Sequence, residues 1–227
     1  MTEIVSEYSN KNDIVKRTTR RAFLLGATAF AVAGCSSGSD RWAGMQESNS
    51  FRSAYGPNPN ELFPLPAVNI KRVPRDYHRQ LVTYRGAEPA GTVVIDPHNK
   101  FLYLVRGDGK AVRYGIGVGR EGFSWNGRAK IGAKKQWPTW TPPGEMIDRQ
   151  PELEEFRGGM QPGLQNPLGA RALYLYDDGR DTLYRIHGTN EPWSIGKAVS
   201  SGCIRLFNQD IVDLYDRVQV GAEVVVL

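Results

Sequence analysis

From about residue 90 the chain alternates short apolar runs with turn-forming clusters. Val93-Val94-Ile95-Asp96 is one run and Phe101-Leu102-Tyr103-Leu104-Val105 the next, with Pro97-His98-Asn99-Lys100 between them. That spacer has turn composition, since Pro presets φ and Asn tolerates a left-handed backbone. Arg106-Gly107-Asp108-Gly109-Lys110 reads as a second turn and 111–118 as a third strand. Runs this short, separated by Gly, Asp and Asn, predict an antiparallel sheet. Further strands are expected over 171–176, 182–187 and 222–227. Helical spacing is clearest over 208–218, where Ile211, Val212, Leu214, Tyr215 and Val218 share one face. Asn208 stands at the N-cap position, Asp210 in the first turn, Arg217 near the end and Gly221 beyond it. A shorter, acidic, exposed helix is expected over 151–157. The pattern predicts a mainly β domain of two packed sheets with one helix close after Cys203. There is no internal repeat and no sign of a second folded domain.

Upstream the pattern changes. Residues 1–17 are polar, and Thr19-Arg20-Arg21-Ala22-Phe23-Leu24-Leu25 opens a run of apolar and small residues to Gly34. Charge, a short apolar run and small residues make a secretory signal. The paired arginines resemble a twin-arginine export signal. The run 22–34 is too short to span a bilayer as a stable helix. Val32-Ala33-Gly34-Cys35-Ser36-Ser37 resembles the bacterial lipobox, in which the cysteine becomes the lipidated first residue of the mature chain. The plainer alternative is a signal peptide cut nearby, with Cys35 incidental. Residues 35–66, rich in Ser, Gly, Asn and Pro, are expected to form a flexible tether. The folded domain is then 67–227, with its core at about 90–227.

Composition narrows the classes. Of 227 residues, 40% are hydrophobic and 23% charged, as in soluble globular proteins. The net charge is +5, and beyond residue 34 the balance is 24 basic against 21 acidic side chains. Such a balance suits an anionic polymer or membrane surface. Nucleic acid fits poorly, because the basic residues are scattered and no recognition motif appears. Three histidines and two cysteines, unclustered, give a zinc site little to build on. No metal or cofactor is expected. Gly117-Val118-Gly119-Arg120-Glu121-Gly122 matches G-x-G-x-x-G, but no helix pattern follows it. Strand bends and tight turns account for those glycines better.

The candidate chemistry lies near the C-terminus. His187 ends the apolar stretch Leu183-Tyr184-Arg185-Ile186, and Cys203 closes the small-residue turn Ser200-Ser201-Gly202-Cys203. If Cys35 carries lipid, Cys203 is a lone thiol in an exported protein, which marks it as reactive. A nucleophilic cysteine needs a base within reach, and nearby N–H groups could stabilise thiolate and oxyanion. A lone Cys beside Ile is also an ordinary small buried hydrophobe, and a lone His is often structural. The residues alone leave both readings open.

A resemblance separates them. His187-Gly188-Thr189 stands sixteen residues before Cys203, within Ser200-x-Gly202-Cys203-Ile204-Arg205-Leu206. This resembles the YkuD-type L,D-transpeptidase motif. Gly91-Thr92-Val93-Val94-Ile95-Asp96 resembles that family's first catalytic-domain strand, and Trp140-Thr141-Pro142-Pro143-Gly144-Glu145 its Thr-Pro-x-Gly segment. The resemblance covers roughly 90–227. It implies a YkuD-like β-sandwich and a peptidoglycan stem tetrapeptide as substrate. It also implies Cys203 as nucleophile, His187 as base and the Gly188 carbonyl as the orienting group. Gly202 and Cys203 amides, with Ser201 near, are the oxyanion candidates. Arg205 either grips a stem carboxylate or braces its loop, and Ser200 fixes the turn. One departure stands out: Ser201 occupies the place of the family's second histidine, which leaves the base intact.

The acyl acceptor is left open. It is a second stem's diamino acid, giving a 3–3 cross-link, an amine of an outer-membrane protein, or water, which would make a hydrolase. A non-catalytic wall-binding module is a third class, against which the intact His187 and Cys203 argue. Trp125, Trp137, Trp140 and Trp193 are candidates to line a cleft, and the Pro- and Gly-rich segment 134–170 is a candidate capping loop. Glu152, Glu154 and Glu155 read as a solvated helix face. His78 and His98 receive no role. The expected location is the periplasm of a Gram-negative bacterium, on a lipid anchor.

Overall fold

A computed structural model describes residues 53–119, 126–200 and 202–227. The expected export signal, Cys35, residues 36–52, Trp125 and Ser201 lie outside the described residues. The strands in chain order are β1 (Gln80–Thr83), β2 (Val93–Asp96), β3 (Phe101–Val105), β4 (Lys110–Gly115), β5 (Val118–Gly119), β6 (Gly127–Gln136), β7 (Arg171–Asp177), β8 (Arg180–His187), β9 (Ala198–Ser200), β10 (Ile204–Arg205) and β11 (Glu223–Val226). Helix α1 is Gly144–Arg149 and α2 is Asn208–Arg217.

The domain is mainly β, as the pattern predicts. In place of two separate sheets, nine strands hydrogen-bond into one, in the order β1-β4-β3-β2-β11-β6-β7-β8-β10, and β5-β9 form a small second ribbon. The large sheet curls on itself. Gly117, just past β4, pairs antiparallel with Arg205 of β10 through two bonds of 2.9 Å, so strands from distant positions in the order meet. The two layers are thus arms of one sheet. Val93, Ile95, Leu102 and Tyr114 from one arm share a buried cluster with Ile131, Leu173, Leu175, Ile186 and Ile204 from the other. Helix α2 adds Ile211 and Leu214 to it. The central strands β2 and β11 bury both faces, since Val94 and Val225 pack in a second cluster with Val105. They therefore read as unbroken apolar runs without alternation.

Strands β1, β6, β9 and β10 and helix α1 escape the sequence pattern. β1 is short. β6 is dominated by lysines and glycines and sends only Ala129 and Ile131 into the main core. One of its lysines has an internal task. Lys134 Nζ donates to the carbonyls of Tyr215 (2.5 Å) and Val218 (2.6 Å), which lie at the C-terminal end of α2, where a cation is favoured. The expected helix 151–157 is a 3-10 turn, Pro151–Phe156, with Glu152, Glu154 and Glu155 exposed. The expected capping segment 134–170 starts within β6 and carries α1, so it is only partly loop. Asn166, fully buried, ties it together by facing the carbonyls of Pro138, Met160 and Gln161 at 3.1–3.2 Å.

The expected tether also changes character. From Tyr55 onward it packs apolar residues against the domain. Tyr55 and Leu65 are 2% exposed, and Asn58 pairs with Leu65 across a backbone bridge. Glu61 makes two bonds to Arg171, of 2.8 and 2.7 Å, and accepts a third from Trp137 Nε1 at 2.9 Å. Scattered apolar residues among Pro and Asn carry no period, yet each fills a pocket in the body. Trp137 is buried beside Phe63 and Leu65, so this candidate cleft residue belongs to the core.

Candidate active site

The site is built on β8 and β10. These strands run parallel, with Ile204 opposite Ile186 and Arg205 opposite His187. Side chains of paired residues share a face and alternate along the strand. Ile186 and Ile204 therefore point into the core, while His187 and Arg205 lie on the opposite face. One residue back, Cys203 falls beside Arg185, whose backbone hydrogen-bonds the Cys203 thiol. Cys203 and His187 thus occupy one face of adjacent strands, two positions apart. Diagonal neighbours at this spacing are within side-chain reach.

His187 is 4% exposed. Its Nδ1 lies 2.5 Å from the Gly188 carbonyl oxygen. A carbonyl can only accept, so Nδ1 carries the proton and Nε2 presents a lone pair. Burial is the main cause that lowers the imidazole to about 4; the Gly188 bond opposes it, and the charges of Arg205 and Arg185 add to it. The ring is neutral at neutral pH. Cys203 is half-buried. Burial pushes its thiol up, while the Arg185 backbone bond and the charges of Arg185 and Arg205 pull it down. The resting pair is therefore a thiol and a neutral imidazole, able to react by moving the proton as sulfur attacks.

The His187 turn is gripped from below by α2. Asn208 Nδ2 donates to the Thr189 carbonyl (3.0 Å), and Asn208 Oδ1 accepts from the Ala170 amide (2.9 Å). The helix has Phe207 as N-cap and no side-chain cap bond, so Asn208, expected to cap, instead joins two loops. Gly188 fits because a Cβ there would collide with Asn208 Oδ1 and lie 3.1 Å from the Ala170 amide. Gly202, with φ +126°, adopts backbone that L side chains rarely enter, which suits the turn leading into Cys203. Asp210 is in the first turn as expected. It is also fully buried, accepting from Tyr55 Oη at 2.9 Å and lying 3.6 Å from Arg79 Nε.

The other expected site residues are distributed as follows. Arg205 Nη1 pairs with Glu191 Oε2 at 2.6 Å, bracing the loop after the His187 turn. Trp193, in that loop, is 56% exposed with Lys197 Nζ 5.3 Å from its ring. Trp140 is half-buried against Phe156 in the segment between β6 and β7. That segment reaches the His187 turn, where Asn190 Nδ2 donates to the Gln165 carbonyl at 2.9 Å. Ser200 ends β9; Ser201 lies outside the described residues. His98 is exposed, and His78 Nε2 faces the carbonyls of Ile70 and Val73 at 3.1 and 3.0 Å, a structural position. Among the described residues no cluster of His, Cys, Asp and Glu could hold a metal. The G-x-G stretch leads, beyond 120–125, into β6. Sequence reasoning missed Glu191, Arg185 and the role of Asn208. Only the position of Asn208 offered a signal, and it pointed to a cap.

A histidine and a cysteine on one sheet face, with a carbonyl fixing the imidazole tautomer, define a class of site suited to acyl transfer through sulfur. The chain belongs to the YkuD family of L,D-transpeptidase catalytic domains, whose model matches residues 90–226. It is 37% identical over 145 residues to the "Probable L,D-transpeptidase YbiS" of Escherichia coli K12, covering 59% of this chain and 43% of that one. It is 37% identical over 139 residues to the "Probable L,D-transpeptidase ErfK/SrfK" of the same organism, covering 60% and 43%. The chain thus spans less than half the length of these curated relatives. A solved structure from Brucella melitensis, described as a probable carnitine operon oxidoreductase, is 50% identical, covering 70% of this chain and 99% of that one, with a TM-score of 0.48.

Proposed function

We propose that the protein is an exported peptidoglycan L,D-transpeptidase, with Cys203 as nucleophile and His187 as general base. The observation that carries this reading is the state of His187: neutral, its Nδ1–H committed to the Gly188 carbonyl, on the face that holds Cys203. Membership of the family supplies the reaction class.

The donor is a stem tetrapeptide ending in a diamino acid and D-alanine. Cys203 Sγ bonds to the diamino acid carbonyl carbon as its proton passes to His187 Nε2. The tetrahedral oxyanion is held by the Gly202 and Cys203 amides, with Ser201 near. Collapse breaks the C–N bond, Nε2 returns the proton to the amine, and D-alanine leaves a thioester on Cys203. An acceptor amine then attacks, gives its proton to Nε2 and forms the new amide, and sulfur leaves and recovers the proton. Arg185 and Arg205 favour the thiolate and oppose build-up of imidazolium, so the proton is readily passed on. Trp140 and Trp193 are available to the stem peptide. Lipidation at Cys35 would hold the domain at a membrane facing the wall.

The test uses the protein purified without its first 35 residues, given a disaccharide-tetrapeptide, with product masses read by mass spectrometry. A dimer lacking one D-alanine, abolished by Cys203→Ala, is the expected product. Tripeptide monomer alone would make water the acceptor in that assay. No change in substrate mass, with Cys203 shown reactive to a thiol reagent, would overturn the reading.

A further inference from the structure

The face that carries Cys203 and His187 continues across β7 and β6. Arg185 pairs with Tyr174 of β7, and Tyr174 in turn pairs with Ala133 of β6, two residues from Lys135. Paired residues share a face, so Lys135, Tyr174 and Arg185 stand on the same side as the thiol. Contacts join them into a line. Arg185 Cζ sits 4.3 Å from the Tyr174 ring centroid, and Lys135 Nζ sits 5.3 Å from it. At the other end, Arg185 is hydrogen-bonded through its backbone to Cys203.

The charges along this line are unequally balanced. Arg185 is paired with Asp181 through two bonds, of 2.6 and 2.7 Å. Arg205 is paired with Glu191. Lys135 is exposed, and no carboxylate among the described residues lies within salt-bridge distance of it. Its register partner on β7 is Ala172, which in turn pairs with His187 on β8. A cation on an aromatic platform, unpaired with any carboxylate among the described residues and on the face of the nucleophile, is arranged to meet an anion on the substrate.

We propose that Lys135, on the Tyr174–Arg185 platform, recognises a free carboxylate of the peptide bound at Cys203. This deepens the reading above and rests on it. A peptide whose carboxylate is amidated lacks the anion that Lys135 would meet, and the site discriminates against it.

The experiment measures binding, with Cys203→Ala to prevent turnover. The probes are a stem tetrapeptide with free carboxylates and the same peptide amidated on its diamino acid and glutamyl carboxyls, each titrated by calorimetry. The free peptide is expected to bind about fivefold more tightly, as for one partly exposed ion pair, and the preference is expected to narrow with added salt. Lys135→Gln is expected to bring the two affinities together, and Lys135→Arg to retain the preference. An unchanged preference in Lys135→Gln would overturn the proposal, as would equal binding of both peptides, or of neither, by the parent. Turnover by wild-type protein with intact Cys203 tests the transpeptidase reading separately. An active enzyme indifferent to Lys135→Gln would sink this inference alone.

Discussion

At the scale of single residues, the proposed chemistry turns on the ionisation of His187. Its folded pKa of about 4 lies below the ordinary imidazole value of 6.5. Only the neutral ring can accept the thiol proton, so activity falls as pH drops through the folded value. We expect the acid limb of kcat/KM to have its midpoint near 4, with an ordinary imidazole limb as the contrary result. His187→Ala should lower kcat by about 10²- to 10⁴-fold, the usual worth of a general base, while leaving the folded state measurable by circular dichroism. Resemblance to the family is what joined His187 and Cys203 as candidates in the chain. Pattern alone could not, since nothing in the residues between 187 and 203 announces that they lie on one sheet face. That follows from parallel pairing of β8 with β10, which is a long-range fact. Arg205 was also legible, but its partner Glu191 was not, because an acidic loop residue has no signature until the loop is folded.

Elements show a different balance. The apolar runs over 93–96, 101–105, 171–176 and 222–227 predicted strands that the fold contains, because their burial leaves little choice of structure. β6 was invisible because most of its residues are polar or small and one of its lysines caps a helix. Segment 53–66 was invisible for a related reason: its few apolar anchors have no period. The start of α2 is the instructive case. Asn208 looks like a cap, yet its side chain bonds Thr189 and Ala170, so the helix places the histidine turn. Asn208→Ala removes both bonds. It should cost about 1–3 kcal/mol in denaturant unfolding, as for buried groups left without partners. It should also lower kcat more than it raises KM. A stability loss with kcat intact would show that the bonds hold the fold without placing His187.

For the whole molecule, the catalytic body is larger than its family-matched part. The match spans 90–226, yet β1, Tyr55 and Glu61 lie upstream and are built into the sheet and its surroundings. Glu61 and Arg171 form a nearly buried pair, with side chains 10% and 7% exposed. The Arg171 carbonyl in turn accepts from the Gly188 amide at 3.1 Å. Glu61→Ala leaves the guanidinium without its partner and should cost about 3 kcal/mol, measured by urea unfolding. The hydrogen bonds from Arg171 and Trp137 hold the Glu61 carboxyl below its ordinary value against burial, which alone would raise it. Its contribution is therefore present above the unfolded carboxylate range and fades as pH falls through the lowered folded value. An unfolding free energy for Glu61→Ala equal to that of the parent at neutral pH would show the pair to be ornamental.

The packed segment ahead of β1 also bears on portability. A graft of this catalytic unit onto another carrier, cut at the family boundary, would lose β1 and so bare the ladder groups of β4 that it covers. It would also open the pockets that Tyr55 and Leu65 fill, leaving a soluble hybrid prone to self-association. The smallest transplantable module therefore begins no later than Tyr55. Any spacer that sets its working distance from a surface has to be inserted upstream of that point.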